Sequence, residues 1–152
     1  MWMHIVLSLH ELNKNSKNKV VHRGITPDNI LIDENNTLKL GDFGHAKILG
    51  VENSFVQTMM ITSKYLSPEQ VMQAKSSLKS DIWALGCLLY EMACLNPPFI
   101  AQNHLSLAMK IKNAKIPKIP RHYSSELTRV INYTMQKNPK LRPSVEELLN
   151  IP

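Results

Sequence analysis

Two short stretches collect the side chains best suited to chemistry. VVHRGITPDNILID, residues Val20–Asp33, sets an imidazole (His22), a guanidinium (Arg23), a hydroxyl (Thr26) and a carboxamide (Asn29) around Gly24. LGDFG, residues Leu40–Gly44, adds the carboxylate of Asp42, and His45 follows directly. Such groups transfer protons and handle anions. Gly24, at the centre of the first stretch, can do neither, and it leaves the backbone less restricted than any other residue would. In isolation Asp42 reads equally well as a turn acid, and His45 as a lone loop histidine.

Composition narrows the possibilities. The chain has 152 residues, 43% hydrophobic and 20% charged, which suits one globular domain with a real core. The net charge of +6 reads as a lysine-rich solvated surface. Its densest basic set is Lys110, Lys112, Lys115, Lys118 and Arg121, interrupted by Pro117 and Pro120 and without the interleaved aromatics that base stacking needs, so nucleic acid is not the expected partner. Cys87 and Cys94 are the two cysteines, too few for a zinc quartet or a disulfide framework, and read as reduced core residues of an intracellular protein. The apolar start, MWMHIVLSLHEL, lacks the basic region and the cleavage site of a signal peptide. No segment approaches the roughly 20 apolar residues of a membrane span.

The elements that must position these groups follow from periodicity. Trp2–Asn13 has helical spacing at Ile5, Val6, Leu9 and Leu12. Strand-like runs follow at Lys19–His22, Ile30–Ile32 and Thr37–Leu40, the last two joined by the turn Asp33–Asn36. Residues 41–64 read as a long loop, of the kind that is usually functional. Ser67-Pro68-Glu69 then opens a helix with a cap, a proline and an acid at its positive end. Ser80–Leu95 is apolar nearly all round and should be buried, ending before Pro97-Pro98. Amphipathic helices are expected over His104–Ala114 and Ser124–Lys137, and Ser144 with Glu147 forms a capping box for a last short helix.

Five landmarks now stand in order: the His22–Asn29 loop, Asp42-Phe43-Gly44, Ser67-Pro68-Glu69, Asp81-x-Trp83-x-x-Gly86 and Arg142-Pro143. On these, the whole chain, residues 1–152, resembles the C-terminal lobe of a Ser/Thr protein kinase of the NIMA-related family. The resemblance implies a mainly α, kinase-like C-lobe with a small β-hairpin carrying the catalytic loop and the DFG loop, the N-lobe being absent. It implies an activation segment over 42–69. Asn29 and Asp42 match two magnesium ligands, and a hard octahedral ion suits two such oxygens completed by nucleotide phosphates. His22 matches a residue packed against the magnesium loop. Arg23 matches the arginine that grips a phosphorylated activation loop, with Thr58 at the phosphosite. Thr62 matches the threonine lining the substrate's landing site. Glu69 and Arg142 match a buried ion pair, Asp81 a brace for the catalytic-loop backbone, and Trp83 the aromatic of the buried helix.

The departures bear on activity. Gly24 occupies the position of the catalytic Asp, whose general-base help is worth about 10²–10⁴ in rate. Thr26 occupies the position of a lysine that touches the transferring phosphate, and phosphoryl transfer rests on such charge stabilisation. Ile61, Ser63 and Lys64 replace the usual context of Thr62. No Gly-rich phosphate loop and no N-lobe lysine precede the catalytic loop. The expectation is therefore a catalytically impaired, pseudokinase-like lobe that acts through protein binding. Mg and ATP are implied by the family, though binding by this chain is doubtful. A protein is expected as partner, with no nucleic acid or membrane, in cytoplasm, nucleus or, by resemblance, the centrosome. The alternatives are an active Ser/Thr kinase completed by an N-lobe, and a truncated copy without function.

Overall fold

In a computed structural model, residues 1–14, 19–49 and 64–151 are described. The element order is α1 (Trp2–Lys14), β1 (Val20–Val21), β2 (Ile30–Ile32), β3 (Leu38–Leu40), β4 (Lys47–Ile48), α2 (Pro68–Val71), α3 (Leu78–Cys94), α4 (His104–Asn113), α5 (Ser125–Thr134) and α6 (Val145–Leu149). Helices make up most of it, as the residue pattern requires.

Among the described residues α3 contributes to both hydrophobic clusters of the core. Every residue from Ser80 to Tyr90 is buried, so this helix has a core on both sides. On one side Ile82, Leu85 and Leu88 meet Ile5, Val6 and Leu9 of α1 and Leu148 of α6. On the other, Trp83 and Cys87 meet Phe99, Leu107 and Ile111 of α4 and its approach, and Ile131 and Met135 from α5 and its end. Each large apolar side chain buried this way contributes about 1.5–3 kcal/mol of transfer free energy. The Trp2 indole N–H donates to the Leu85 carbonyl at 3.0 Å, which fixes the start of α1 against the middle of α3.

Caps set the helix boundaries. Ser77 accepts from Lys79 N at 3.2 Å, while Ser80 Oγ accepts from the Ser77 N–H, so α3 begins two residues before its apolar run does. Its end is set by Leu95, which turns left-handed (φ 57°) just before Pro97-Pro98. Ser144 and Glu147 form the expected reciprocal box at α6. α5 ends at Thr134, sooner than expected, because Asn138 and Pro139 start a separate short turn over Pro139–Leu141.

The β-structure is two small antiparallel pairs. β2 and β3 form the hairpin, with Ile30 opposite Leu40 and Ile32 opposite Leu38. Asn36 takes the left-handed turn position, φ 58°. The second pair corrects the long-loop reading: β4 lies within residues 41–64 and pairs with β1, Val20 opposite Ile48 and Val21 opposite Lys47. Two-residue strands carry no periodicity to read. Asn13 holds β1 to the end of α1, its side chain accepting from Val20 N at 2.9 Å and donating to Val20 O at 3.1 Å.

Where α3 crosses α5, Gly86 faces Thr134 and Met135 so closely that a Cβ would run into Thr134 Oγ1 and Met135 Cγ. Gly86→Ala is expected to destabilise the chain by about 1–3 kcal/mol, since overpacking outweighs the ~1 kcal/mol of helix propensity gained. Urea unfolding of the two proteins measures the difference; a more stable alanine variant would contradict this packing.

Candidate active site

The loop 22–29 is shaped by a carboxylate that reaches it from α3. Asp81 is 1% exposed. Its two oxygens accept from His22 N at 2.7 Å and Arg23 N at 2.9 Å. This clamp holds Arg23 in the left-handed region, φ 62°, where a branched or bulky residue without such support would be strained. Burial pushes the Asp81 carboxyl up to about 6, against the two backbone donors that favour its ionised form. Next in the chain, Gly24 N donates to His22 Nδ1 at 3.2 Å, and Asn29 Nδ2 donates to the Gly24 carbonyl at 2.7 Å, closing the loop on itself.

The second stretch docks on the first. Gly41 N donates to the Asn29 carbonyl at 2.8 Å, so Asn29 and Asp42 are brought close by the backbone that joins them. Asp42 sits in the left-handed region (φ 56°) and accepts from Gly44 N at 3.0 Å. Phe43 meets the His22 ring edge-on, with centroids 4.8 Å apart. Burial lowers the His22 pKa, with the Asp42 carboxylate and the Gly41 backbone acting the other way, so the imidazole is neutral at physiological pH. Arg23 Nε donates to the His45 carbonyl at 2.7 Å, while the His45 side chain stays exposed.

Asn29 Nδ2 is committed to Gly24, which leaves the amide oxygen free to join the Asp42 carboxylate as a metal ligand. Two hard oxygens fit Mg²⁺ once phosphate and water oxygens complete the shell. Among the described residues no group of three or more His, Cys, Asp and Glu could hold a metal by itself. Gly24 is buried, and its backbone is outside the left-handed region. A Cβ there would lie 3.2 Å from Asn29 Nδ2 and 3.5 Å from the nearest His22 ring atoms, so the amide would need to yield by a few tenths of an ångström. Backbone conformation therefore does not require glycine here, and a side chain at 24 would have to be accommodated by the Asn29 amide. Thr26, half-buried, supplies no cation.

A second charged cluster sits beside the first. Arg142, 2% exposed, donates to both Glu69 oxygens at 2.7 and 2.8 Å, and to the carbonyls of Gln136 (2.7 Å), Lys79 (2.8 Å) and Lys137 (3.3 Å). Its guanidinium lies 5.0 Å from the centroid of Trp83, which stacks on Phe99. Ser80 Oγ adds a bond to Glu69 at 2.9 Å. Burial would raise the Glu69 carboxyl, but the hydrogen bonds and charge of Arg142 outweigh it and hold the pKa below the usual range.

His22, Arg23, Gly24, Thr26, Asn29 and Asp42 therefore come together, with Glu69, Asp81, Trp83 and Arg142 behind them. Thr58 and Thr62 lie outside the described residues, as do residues 50–63 of the 42–69 segment. One contact went unread in the sequence: the Tyr65 hydroxyl donates to Glu91 Oε2 at 2.5 Å, tying the chain before α2 to the far part of α3. Nothing in the local pattern of either residue signals the other.

The description of the protein kinase domain matches residues 1–152. The probable serine/threonine-protein kinase nek2 of Dictyostelium discoideum is 44% identical over 147 residues, covering 97% of this chain and 35% of that protein. The serine/threonine-protein kinase Nek2 of Homo sapiens is 43% identical over 150 residues, covering 97% of this chain and 34% of that protein. The G2-specific protein kinase nim-1 of Neurospora crassa is 43% identical over 133 residues, 88% of this chain and 15% of its own length. The chain thus spans about a third or less of the curated relatives it matches.

The buried pair gives a test with a defined sign. Glu69→Gln or Arg142→Met should cost about 3–5 kcal/mol, because each leaves a buried partner uncompensated. Since the folded Glu69 pKa is depressed, its contribution is present above the unfolded pKa and is lost as pH falls through the folded one. Melts of wild type from neutral to acid pH should therefore fall more steeply than those of Glu69→Gln.

Proposed function

The chain belongs to the protein kinase family, and from that premise we propose that these residues form the helical C-terminal lobe of a NIMA-related Ser/Thr kinase in which phosphotransfer is impaired and protein binding is the retained use. The observation that carries this reading is the contrast around Gly24. Asp81 still clamps the backbone of His22 and Arg23, and Glu69 with Arg142 still anchors the scaffold behind them. Gly24 nevertheless offers no carboxylate and Thr26 no cation.

By family resemblance Asn29 and Asp42 would be the residues to hold Mg²⁺ and the phosphates of ATP, and that group, if bound, would supply the phosphoryl donor and neutralise its charge; in the binding reading this chain does not retain it. His22 supports the magnesium loop through Phe43. By the same resemblance Arg23 would grip a phosphorylated Thr58 and Thr62 would line the substrate's landing site. With no carboxylate at 24, the substrate hydroxyl keeps its proton until water or solvent removes it. That forfeits about 10²–10⁴ in rate before the lost lysine is counted.

A second reading is a working Ser/Thr kinase when further chain completes the nucleotide site. The backbone bond from Gly41 to Asn29 favours it, because the two magnesium-binding positions keep their mutual placement.

Thermal melts of the 152-residue chain with and without Mg²⁺ and ATP separate the two. A cooperative melt that nucleotide does not move supports the binding reading, whereas a melt raised by Mg·ATP reports a surviving nucleotide site by mass action. Gly24→Asp combined with Thr26→Lys is expected to leave transfer of the γ-phosphoryl to protein undetectable in this chain. Measurable transfer by the double variant would overturn the reading that the lobe by itself is inactive.

A further inference from the structure

α4 shows two opposite faces. Leu107 and Ile111 are buried against the core. On the other pole, Leu105 and Met109 stand one turn apart and are 76% and 52% exposed, with Lys112 continuing the same stripe. Leu105 is thus a large, mostly solvent-facing apolar side chain, and Ile100, just before the helix, is 48% exposed as well. Lys110 Nζ donates to the Ile100 carbonyl at 2.6 Å, which joins this approach to the last turn of α4.

The chain that forms and follows the stripe carries charge of one sign. From residue 92 to residue 125 there is no Asp or Glu, while Lys110, Lys112, Lys115, Lys118 and Arg121 all fall in that span. All five are exposed, and among the described residues none of them takes part in an ion pair. Nearly the entire +6 net charge of the chain could be accounted for here. A solvated lysine surface explains the cations but not the leucine and methionine set among them. Exposed apolar side chains beside a run of cations without ion-pair partners suit a docking site whose partner carries the complementary charge.

We propose that the outer face of α4 and the basic segment after it dock an acidic protein segment that carries apolar side chains at helical spacing. The inference deepens the binding reading above and rests on it. Leu105 and Met109 take the apolar side chains of the segment, and Lys112, Lys115, Lys118 and Arg121 face carboxylates flanking them. A helical partner suits the stripe because Leu105 and Met109 present a ridge that another helix can straddle. The exposed cations speed encounter and set the orientation, and the apolar pair sets how long the complex lasts.

The test uses the full chain as bait for a display library of random peptides, followed by Kd measurements on the selected peptides. The expected result is enrichment of Leu or Met at i and i+4 with flanking Asp and Glu. Leu105→Ser with Met109→Ser should weaken those peptides about ten-fold or more without lowering the melting temperature. Lys112→Glu with Lys115→Glu should weaken them too, and wild-type affinity should fall as salt rises. Peptides that bind wild type and the Leu105→Ser, Met109→Ser variant equally would overturn the α4 site while leaving the binding reading standing. No selectable peptide, together with phosphotransfer from Mg·ATP, would overturn the binding reading itself. Binding to phosphatidylserine vesicles or to DNA that survives Leu105→Ser, Met109→Ser would reassign the basic segment to a phosphate-rich surface and overturn the proposal.

Discussion

The structure depends on how charge is buried at the first turn of α3. Asp81 and the Lys79 carbonyl enter the interior there, each needing partners from distant parts of the chain. Asp81 takes two backbone donors from the 22–29 loop. The Lys79 carbonyl takes Arg142, which also holds Glu69 of α2 and carbonyls that follow α5. Unpaired, either carboxylate would cost several kcal/mol in so dry a place. Paired, they fix the front loop, α2 and the last third of the chain to one turn of one helix. The aromatic stack of Trp83 on Phe99 under the Arg142 guanidinium completes the arrangement, since a cation partly stripped of water gains from the ring face.

That arrangement explains why the loop keeps its shape although its central residue is glycine. The positive φ of Arg23 is imposed by Asp81, and Gly24 sits in ordinary backbone with its carbonyl capped by Asn29. Glycine's freedom is not used here. What fixes the loop is therefore the Asp81 carboxylate and the Asn29 amide, not the residue type at 24. The buried contacts of the scaffold run through Asp81, Glu69 and Arg142 and involve no side chain at 24 or 26.

The long elements were legible because burial writes a period into them. α1, α4 and α6 appear where apolar spacing and caps put them, and the β2–β3 hairpin follows its turn residues. α3 was legible as buried, yet its start was misplaced by two residues because Ser77 and Ser80 cap each other ahead of the apolar run. β4 was missed because its two residues are defined by a partner some 27 positions back, at β1, and carry no pattern of their own. In the site, the types of His22, Asn29 and Asp42 were plain, but the pairings of Asp81 with the loop and of Glu69 with Arg142 came from family resemblance alone. Hydrogen bonds across 58 and 73 positions leave no local trace. The Tyr65–Glu91 bond shows the limit, since neither pattern nor resemblance pointed to it.

The same logic separates what α4 does for the fold from what it offers to a partner. Leu107 and Ile111 are spent on the core, and Asn103 caps the helix by accepting from Ser106 N at 2.8 Å. With its inner pole buried and its first turn capped, α4 needs nothing from Leu105 or Met109 to stay folded. A polar residue at either position would keep the helix amphipathic and the surface more soluble. Apolar side chains at these positions, with an acid-free run of cations beside them, therefore add nothing to stability that a polar residue would not. In the docking proposed for this face, their contribution is to contact with a partner of the opposite charge and the same spacing.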